Sequence, residues 1–392
     1  MPNALPDDAA SAALAGRVWR PELDGPSVVA VRDGAAFDIS AACPTMRDLC
    51  EAADPAGLAR TAQGENLGPI ETLLANTAPG TRDRTKPWLL APIDLQAIKA
   101  AGVTFAISML ERVIEERARG DITAAATIRA EVTRLVGDDL AKLKPGSPEA
   151  ARLKQVLIEQ SAWSQYLEVG IGPDAEIFTK AQPMAAVGTF MDAGVHPISS
   201  WNNPEPEVVL VVASSGRIVG ATLGNDVNLR DIEGRSALLL SKAKDNNASC
   251  AIGPFVRLFD AAFTLGDIRT TTVTLRVEGP DRYVMEGSSS IARISRDPAD
   301  LVAQMVNAHH RYPDGAVLFL GTMFAPVEDR DAKGQGFTHK TGDIVTIAAP
   351  KLGALVNRIM PTDQCEPWTF GVAALMRNLA ARGLLPHRHG PA

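Results

Sequence analysis

The apolar and polar positions near the N-terminus predict two strands followed by a helical segment. Two apolar runs lie between Val28 and Ile39, and Arg32-Asp33-Gly34 separates them with a composition typical of a tight hairpin turn. Apolar residues then recur at helical spacing from Met46 to Thr61. The turn-rich segment 78–83 follows, so we expect a small N-terminal α/β domain over residues 1–85.

The remainder, residues 86–392, is predicted to be a second, larger domain with two different patterns. Residues 95–166 are mostly helical in pattern. Beyond Gly170 the apolar runs become short and are punctuated by Gly and Pro, which favours strands, and a helical pattern returns from Glu366 to Gly383. Short strands after a helical stretch indicate an α+β fold rather than a doubly wound parallel sheet.

Three carboxylates accompany one predicted hairpin. Glu205 and Glu207 open an apolar, β-branched run, and side chains two positions apart on a strand point to the same face. After the turn Ser214-Ser215-Gly216, a second apolar run leads back to Asp226. Three carboxylates, with no imidazole among them, suit Mg²⁺ or Mn²⁺. The alternative is three solvated residues at a strand end and a turn, but Glu and Asp are depleted in strands, so the pattern favours a metal site.

The segment around these carboxylates resembles the fumarylacetoacetate hydrolase family, whose pattern is E-x-E, then N-D-x-S-x-R-D, then a lysine with small residues and G-P. The corresponding stretches of this chain are Glu205-Pro206-Glu207, Asn225-Asp226-Val227-Asn228-Leu229-Arg230-Asp231, Lys244 with Ala248-Ser249-Cys250, and Gly253-Pro254. Downstream, Gly321-Thr322 is similar to the family's strand-ending G-T, and residues 342–358 are similar to its closing hairpin. The resemblance covers about residues 86–360 and implies a mixed β-roll, with residues 95–166 as a helical lid over the metal.

The resemblance also implies roles for individual residues. Lys244 becomes the leading proton-transfer group, and we expect a nearby cation and partial desolvation to lower its pKa. Gly321 and Thr322 are expected to contact substrate, as is Ser249 in the small-residue run. The stretch Glu176-Ile177-Phe178-Thr179-Lys180 is similar to a strand of the family's dehydratases whose lysine lies near the substrate carboxylate. Lys180 is therefore predicted to bind substrate.

The stretch that begins at Gly102 bears on the type of reaction. C–C bond hydrolases of the family read G-x-x-Y-x-x-H-x-x-E here, with a His-Glu pair that activates water. This chain has Phe105 at the Tyr position, Ser108 at the His position and Glu111 at the Glu position. Serine cannot replace imidazole as a base near neutral pH. We therefore expect Glu111 to be the second proton-transfer group and Ser108 to contact substrate, and the missing histidine favours dehydration over hydrolysis.

The predicted function is metal-dependent dehydration of a 2-keto-3-deoxy sugar acid. The resemblance implies conversion of 2-keto-3-deoxypentonate into 2-oxoglutarate semialdehyde and water, in a non-phosphorylative sugar catabolic pathway. Arg230-Asp231-Ile232-Glu233 supports this, because the family's hydrolases tend to carry Gln at the last of these positions. The alternatives are C–C hydrolysis of an acylpyruvate or other 2,4-diketo acid, decarboxylation of oxaloacetate, and a non-catalytic binding role.

Composition and charge agree with a soluble metabolic enzyme. The chain has 392 residues, 46% of them hydrophobic, and a formal net charge of −7 at pH 7. Because it has no basic run we expect no nucleic-acid partner, and its apolar runs are too short to cross a membrane. No secretory pattern is present, so we expect a cytoplasmic protein whose four cysteines are reduced. The resemblance implies a homodimer or a higher homo-oligomer.

Overall fold

The computed structural model describes residues 4–119, 143–159, 163–324, 328–331 and 336–385, and the single residues 121, 124, 128 and 326. The middle of the predicted helical stretch 95–166 lies outside these residues. All four cysteines are free and buried. In the described part, no helix combines the length and the apolar composition needed to cross a bilayer.

Strands make up most of the described framework. Numbered in chain order, they are β1 (Leu14–Arg20), β2 (Gly25–Arg32), β3 (Ala35–Asp38), β4 (Glu65–Pro69), β5 (Trp88–Leu90), β6 (Ala97–Gly102), β7 (Glu176–Ala181), β8 (Asp192–Val195), β9 (Asn202–Asn203), β10 (Pro206–Val212), β11 (Ile218–Asp226), β12 (Asn228–Leu229), β13 (Cys250–Leu258), β14 (Thr272–Glu278), β15 (Val284–Ser290), β16 (Ala316–Phe319), β17 (Ile344–Ala349) and β18 (Gly353–Pro361).

Helices are shorter and lie between the strands. The α-helices with described bounds are α1 (Met46–Glu51), α2 (Pro55–Thr61), α3 (Ile70–Ala75), α4 (Ala106–Ala118), α5 (Pro148–Glu159), α6 (Gln165–Ile171), α7 (Arg230–Glu233), α8 (Leu240–Lys244), α9 (Leu265–Thr270), α10 (Pro298–Met305) and α11 (Val372–Ala381). Short 3-10 turns occur at Pro21–Leu23, Ala237–Leu239 and Ile291–Arg293.

The large sheet contains eleven of the described strands. Their order is β4-β3-β2-β1-β13-β11-β10-β16-β6-β7, with β5 paired to β1. Only β16 and β6 pair in parallel, and the other pairs are antiparallel. The predicted N-terminal hairpin is confirmed, because β2 and β3 pair around Asp33 and Gly34, which both have positive φ. Since β1 pairs with β13, the N-terminal strands are part of the same sheet as the predicted catalytic segment.

A second sheet, β15-β14-β17-β18-β8, packs on one face of the first. The core between them takes alternate residues of β10, β11 and β16 on one side and of β14, β17 and β18 on the other. The opposite face of the large sheet is covered by α1 and α2, which contribute Met46, Leu49 and Ala59 to a second core. Among the described strands neither sheet closes into a barrel, so the α+β class with open mixed sheets is confirmed.

The helical stretch begins later than the sequence predicts. Ala97–Gly102 form strand β6 between β16 and β7, and helix begins only at Ala106. Helices α4, α5 and α6 then share a separate apolar core with Trp201, on the segment that leads into the E-x-E strand. The C-terminal helix is likewise shorter than predicted, at Val372–Ala381. The boundary at residue 85 and the lid role of residues 95–166 stay predictions.

Candidate active site

Glu205, Glu207 and Asp226 converge where β10 begins and β11 ends. The two strands pair antiparallel, so the open ends of the hairpin lie side by side. One carboxylate oxygen of each residue lies within 4.8 Å of the others, and all three side chains are buried. Asp226 Oδ1 makes no hydrogen bond to a described residue, although Lys180 Nζ forms an ion pair with it at 2.9 Å. Three crowded carboxylates of this kind fit a hard divalent cation such as Mg²⁺ or Mn²⁺.

Lys244, the last residue of α8, reaches into this triad. Its Nζ donates to Glu205 Oε2 at 2.7 Å and to Asp226 Oδ2 at 3.0 Å. Burial lowers the pKa of Lys244, but Asp226 and Glu205 raise it by more, so the net pKa lies above the ordinary lysine value. The neighbouring carboxylates therefore oppose the lowered pKa that the sequence predicts for Lys244. That prediction assumes a cation beside the amine.

Arg112 on α4 connects the triad with two further carboxylates. Its guanidinium donates to Glu205 Oε1 at 2.7 Å and to Glu115 Oε2 at 2.7 Å, and it lies 2.9 Å from Glu233 Oε2. The three glutamates are buried, and the Arg112 side chain is 12% exposed. Sequence reasoning missed Arg112 because the charges of Leu110–Arg117 are typical of a solvated helix face, whereas the structure buries that face against the metal hairpin.

Arg230, the first residue of α7, holds the other end of the network. It donates to Glu115 Oε1 at 2.7 Å and to Glu111 Oε2 at 3.1 Å, and its guanidinium lies 4.4 Å from the centre of the Trp201 ring. Glu111, the predicted second proton-transfer group, is therefore ion-paired with Arg230. Glu111 does not line the cavity beside the triad, but it lines a neighbouring cavity that also borders Glu205, so its role in proton transfer stays a prediction.

A cavity of about 30 Å³, here named the triad cavity, adjoins Glu205, Glu207, Asp226 and Lys244. Glu176, which opens β7, also lines it. Glu176 is the register partner of Gly102 on β6, and a Cβ on Gly102 would lie 2.1 Å from Glu176 Oε2. The glycine thus allows the carboxylate to lie against the neighbouring strand.

Glu176 is a functional candidate that the sequence motifs alone do not single out. Burial raises its pKa above the ordinary glutamate value, and a carboxyl group with a raised pKa beside a metal-binding triad is suited to proton transfer. The signal was present in the sequence. Residues 176, 178 and 180 share one face of a strand, so placing Lys180 near the site also places Glu176 there.

Two other buried acids have raised pKa values. Burial, with Asp226 and Glu205 nearby, raises the pKa of Glu207 well above its ordinary value. Burial raises the pKa of Glu233 to about 7, against the opposing effect of Arg112. The site therefore carries more buried negative charge than its own lysines and arginines neutralise, which is the charge balance that a divalent cation would correct.

Gly321 and Thr322 lie directly after β16, against the triad cavity. The Gly321 amide donates to Glu207 Oε2 at 2.6 Å. Gly321 has φ +84°, and a Cβ there would lie 2.1 Å from Thr104 Oγ1, so both its conformation and its surroundings require glycine. Gly321 therefore orients a candidate metal ligand, and Thr322 is the member of the pair whose side chain faces the cavity.

Lys180 and Ser249 lie behind the site instead of lining the triad cavity. Lys180 is fully buried, with its Nζ beside Asp226 and donating to the Lys244 carbonyl oxygen at 2.8 Å. The Ser249 hydroxyl donates to the same carbonyl oxygen at 2.6 Å. Neither residue reaches the cavity in which the sequence predicts that they contact substrate. Both instead bind the main chain at Lys244, and Lys180 also pairs with Asp226.

Comparison with known proteins agrees with this geometry. Residues 204–360 match the family model described as the C-terminal domain of fumarylacetoacetate (FAA) hydrolase. This segment of the chain is therefore similar to the fumarylacetoacetate hydrolase family. Both arms of the metal hairpin, Lys244 and the Gly321-Thr322 turn lie inside the matched segment.

Two proteins named as dehydratases are similar to the chain in sequence. A 2-dehydro-3-deoxy-D-arabinonate dehydratase of Saccharolobus solfataricus is 30% identical over 184 residues, which is 47% of this chain and 58% of that enzyme's length. A probable 2-keto-3-deoxyxylonate dehydratase of Haloferax volcanii is 27% identical over 333 residues, 85% of this chain and 94% of the relative. A solved structure of 2-keto-3-deoxy-D-arabinonate dehydratase, complexed with magnesium and 2,5-dioxopentanoate, aligns with a TM-score of 0.59 and 20% identity, over 89% of this chain and 99% of the other. That structural likeness shows the shared fold.

Two departures from the fumarylacetoacetate hydrolase pattern lie close to the site. Ser108, at the histidine position, donates its hydroxyl to the Phe105 carbonyl oxygen at 2.9 Å and so closes the first turn of α4 while facing the triad cavity. Glu233, at the position where the family's hydrolases tend to carry glutamine, is ion-paired with Arg112. The histidine position therefore holds a residue that cannot activate water by taking its proton.

Proposed function

We propose that the chain is a Mg²⁺-dependent dehydratase that removes water from a 2-keto-3-deoxy sugar acid. The observation that carries this proposal is the composition of the triad cavity. Three carboxylates that suit a divalent cation face Lys244 and Glu176, and no histidine occurs among the described residues that line the cavity. C–C hydrolysis requires a base that activates water, whereas dehydration requires only a pair of proton-transfer groups.

The residues that would hold Mg²⁺ are Glu205, Glu207 and Asp226. Bound there, Mg²⁺ would supply a Lewis acid that polarises the 2-oxo group of the substrate and thereby acidifies the C3 hydrogens. The related arabinonate dehydratase structure, which contains magnesium, supports this choice of ion. The hydrogen bond from the Gly321 amide fixes one oxygen of Glu207, so this ligand is oriented by main chain rather than by a mobile side chain.

Lys244 and Glu176 are the two groups of the chain that transfer protons in this proposal. One of them takes the proton from C3, and the other gives a proton to the C4 hydroxyl, which leaves as water. The electron pair of the C3–H bond forms the C3–C4 double bond as the C4–O bond breaks. Lys180 and Ser249 hold the main chain at Lys244, so the amine keeps its position beside the triad.

The specific substrate we propose is a 2-keto-3-deoxypentonate. Loss of water across C3 and C4 gives a 2-oxo-3-ene acid that keeps the C5 hydroxyl. Transfer of a proton from C5 to the C2 oxygen converts it into a dienol, and ketonisation of the dienol, with protons returning to C3 and C4, yields 2-oxoglutarate semialdehyde. The names of the Saccharolobus and Haloferax relatives, an arabinonate and a probable xylonate dehydratase, support a five-carbon acid. A cytoplasmic location and a homo-oligomeric assembly stay predictions.

The deciding experiment incubates the purified chain and Mg²⁺ with 2-keto-3-deoxypentonate and, separately, with acylpyruvates, and identifies the products by mass spectrometry. We expect a product lighter than the sugar acid by one water, and we expect EDTA and the Glu207→Gln variant to abolish it. Glu286→Gln, which removes an exposed carboxylate that pairs with Arg276 on the neighbouring strand, serves as the matched control and should retain activity. Release of pyruvate from an acylpyruvate without dehydration of the sugar acid would instead identify a C–C hydrolase.

A further inference from the structure

Asn203 and Asn228 each bury a side-chain carbonyl oxygen that accepts no hydrogen bond from a described residue. The two residues are 2% and 1% exposed. They are direct register partners in the two-stranded pair of β9 and β12, so their side chains lie on the same face. A buried acceptor without a donor is costly and uncommon, and two neighbouring ones without a donor among the described residues point to a ligand that donates hydrogen bonds here.

The orientation of both carboxamides follows from their other atoms. Asn228 Nδ2 donates to Glu205 Oε1 at 3.2 Å, and Asn203 Nδ2 donates to the Pro204 carbonyl oxygen at 2.9 Å. Because each amide nitrogen has an acceptor, turning either group over would break that hydrogen bond. The two oxygens are therefore the free ends of the side chains.

Both asparagines line a second cavity, of about 20 Å³, here named the amide cavity. It shares Ser108, Arg112 and Thr322 with the triad cavity, and Glu205 borders both. The two cavities therefore adjoin across one candidate metal ligand. A ligand whose 2-oxo acid end binds at the triad would extend its other end toward the amide oxygens.

The charges around the amide cavity favour a neutral donor. Arg112 and Arg230 already donate to oxygens of Glu205, Glu115 and Glu111, so a second cation would have to compete with two guanidinium groups. An anion would meet the two carbonyl oxygens, which only accept hydrogen bonds. Hydroxyl groups suit the site, because each donates to a carbonyl oxygen and accepts from a neighbouring donor such as the Thr322 hydroxyl, which also lines the cavity.

We propose that Asn203 and Asn228 bind the C4 and C5 hydroxyl groups of the sugar acid and so select a polyhydroxylated substrate. The assignment rests on the proposed function for the placement of the 2-oxo acid end. Two acceptors match the two hydroxyls that a 2-keto-3-deoxypentonate carries beyond C3. An acylpyruvate in its diketo form has no such donors in its tail. Asn228 stands where the family pattern has serine, so this subsite distinguishes the chain from that pattern.

The test measures binding and does not depend on turnover. Isothermal titration calorimetry with Mg²⁺ compares 5-hydroxy-2-oxopentanoate with 2-oxopentanoate, two acids that lack the C4 leaving group and differ only in the C5 hydroxyl. We expect the native chain to bind 5-hydroxy-2-oxopentanoate about 10- to 100-fold more tightly than 2-oxopentanoate. Asn203→Ser or Asn228→Ser should reduce this ratio of the two affinities at least fivefold. Differences in hydration between the two free acids do not affect the comparison of variants, because each protein is measured with the same two acids.

Asn202→Ser is the matched control. Asn202 is the buried neighbour of Asn203, and its side chain is occupied by the His339 amide and by Ser199. This variant should keep the native ratio even where it lowers stability. An affinity ratio that is unchanged in both Asn203→Ser and Asn228→Ser would overturn the proposal. So would binding of a second Mg²⁺ per chain that either variant removes, because the asparagine oxygens would then be metal ligands.

The binding test of Asn203 and Asn228 can fail independently of the activity test of the proposed dehydratase. A chain that dehydrates 2-keto-3-deoxypentonate but shows no hydroxyl preference in binding keeps the dehydratase function and loses the subsite. A chain that shows the preference but dehydrates no sugar acid keeps the subsite and loses the function.

Discussion

Arg112 donates a 2.7 Å hydrogen bond to Glu205, so a helix that follows β6 is ion-paired with a candidate metal ligand at the start of β10. The same guanidinium also contacts Glu115 and Glu233. One cation thus compensates three buried carboxylates. Any change at Arg112 is therefore expected to affect both stability and the metal site.

Replacing Arg112 by methionine is expected to destabilise the chain by about 3–5 kcal/mol, because it removes the positive charge that the buried Glu115, Glu205 and Glu233 share. Urea unfolding in EDTA measures this change. Arg152→Met on α5 is the matched control, since Arg152 is 69% exposed and, among the described residues, pairs with Glu149 alone, so it should cost less than about 1 kcal/mol. Equal effects of the two changes would contradict the buried role of Arg112.

Replacing Lys244 by methionine is expected to tighten Mg²⁺ binding while abolishing turnover. The ammonium contacts Glu205 and Asp226, and removing a positive charge a few ångströms from the cation is worth about 1–4 kcal/mol in its favour. Calorimetric titration with Mg²⁺ gives the affinity, and mass spectrometry gives the turnover. Lys242→Met, on the exposed side of the same helix, should change neither. Weaker Mg²⁺ binding by Lys244→Met would show that the lysine supports the metal site instead of competing for its ligands.

The second proton-transfer group is expected to be Glu176 and not Glu111. Glu176→Gln should lower kcat by about 10²–10⁴-fold, because the amide has the shape of the carboxyl group but cannot exchange the proton. Glu111→Gln should act mainly through its ion pair with Arg230 and lower kcat far less. Steady-state rates of the two variants on one sugar acid decide between them, and the reverse order would restore the interpretation drawn from sequence.

In EDTA, the free energy of unfolding is expected to fall as the pH rises from about 5 to about 8. Burial raises the pKa of Glu233 to about 7, so between the ordinary glutamate pKa and pH 7 the folded chain holds a proton that the unfolded chain has lost. The raised pKa values of Glu207 and Glu176 act in the same direction. Urea unfolding at several pH values measures the fall, which Glu233→Gln should make smaller. A fall of the same size in that variant would show that Glu233 does not titrate in this range.

Metal binding is expected to stabilise the native chain through the triad. A ligand at one hundred times its Kd that binds only the folded state adds about 2.7 kcal/mol. Thermal unfolding with and without saturating Mg²⁺ should therefore show a rise in Tm that Glu207→Gln removes and Glu286→Gln preserves. A rise that persists in Glu207→Gln would place the ion elsewhere.

The residues close together in sequence were the easiest to predict. Glu205, Glu207 and Asp226 belong to one hairpin, so strand alternation and one turn are enough to bring them together. Arg112 is 93 positions from Glu205, and its burial depends on which face of α4 packs against the hairpin. Charge pattern alone cannot reveal that choice, because a buried ionic face and a solvated one contain the same residue types.

The differences between the expected and the observed positions of side chains have a related cause. Ser249 and Lys180 were placed near substrate from their motifs, yet both side chains bind the Lys244 carbonyl oxygen from behind. A motif shows that a residue type is needed but not which side of the main chain it faces. The strand β6 was read as helix because Ala97–Gly102 is rich in alanine, a strong helix former, and its pairing with β16 depends on residues more than 200 positions away.

The pairing of β1 with β13 makes the N-terminal residues part of the scaffold that carries the active site. Strand β13 follows the Lys244 loop and is bordered by β1 on one side and β11 on the other. A truncated chain without the first 85 residues would leave β13 as an open edge with unpaired amide and carbonyl groups, a ready template for aggregation. Expression of the catalytic segment alone is therefore a poor design for studying this enzyme, and a fused partner at the N-terminus must leave β1 free to pair.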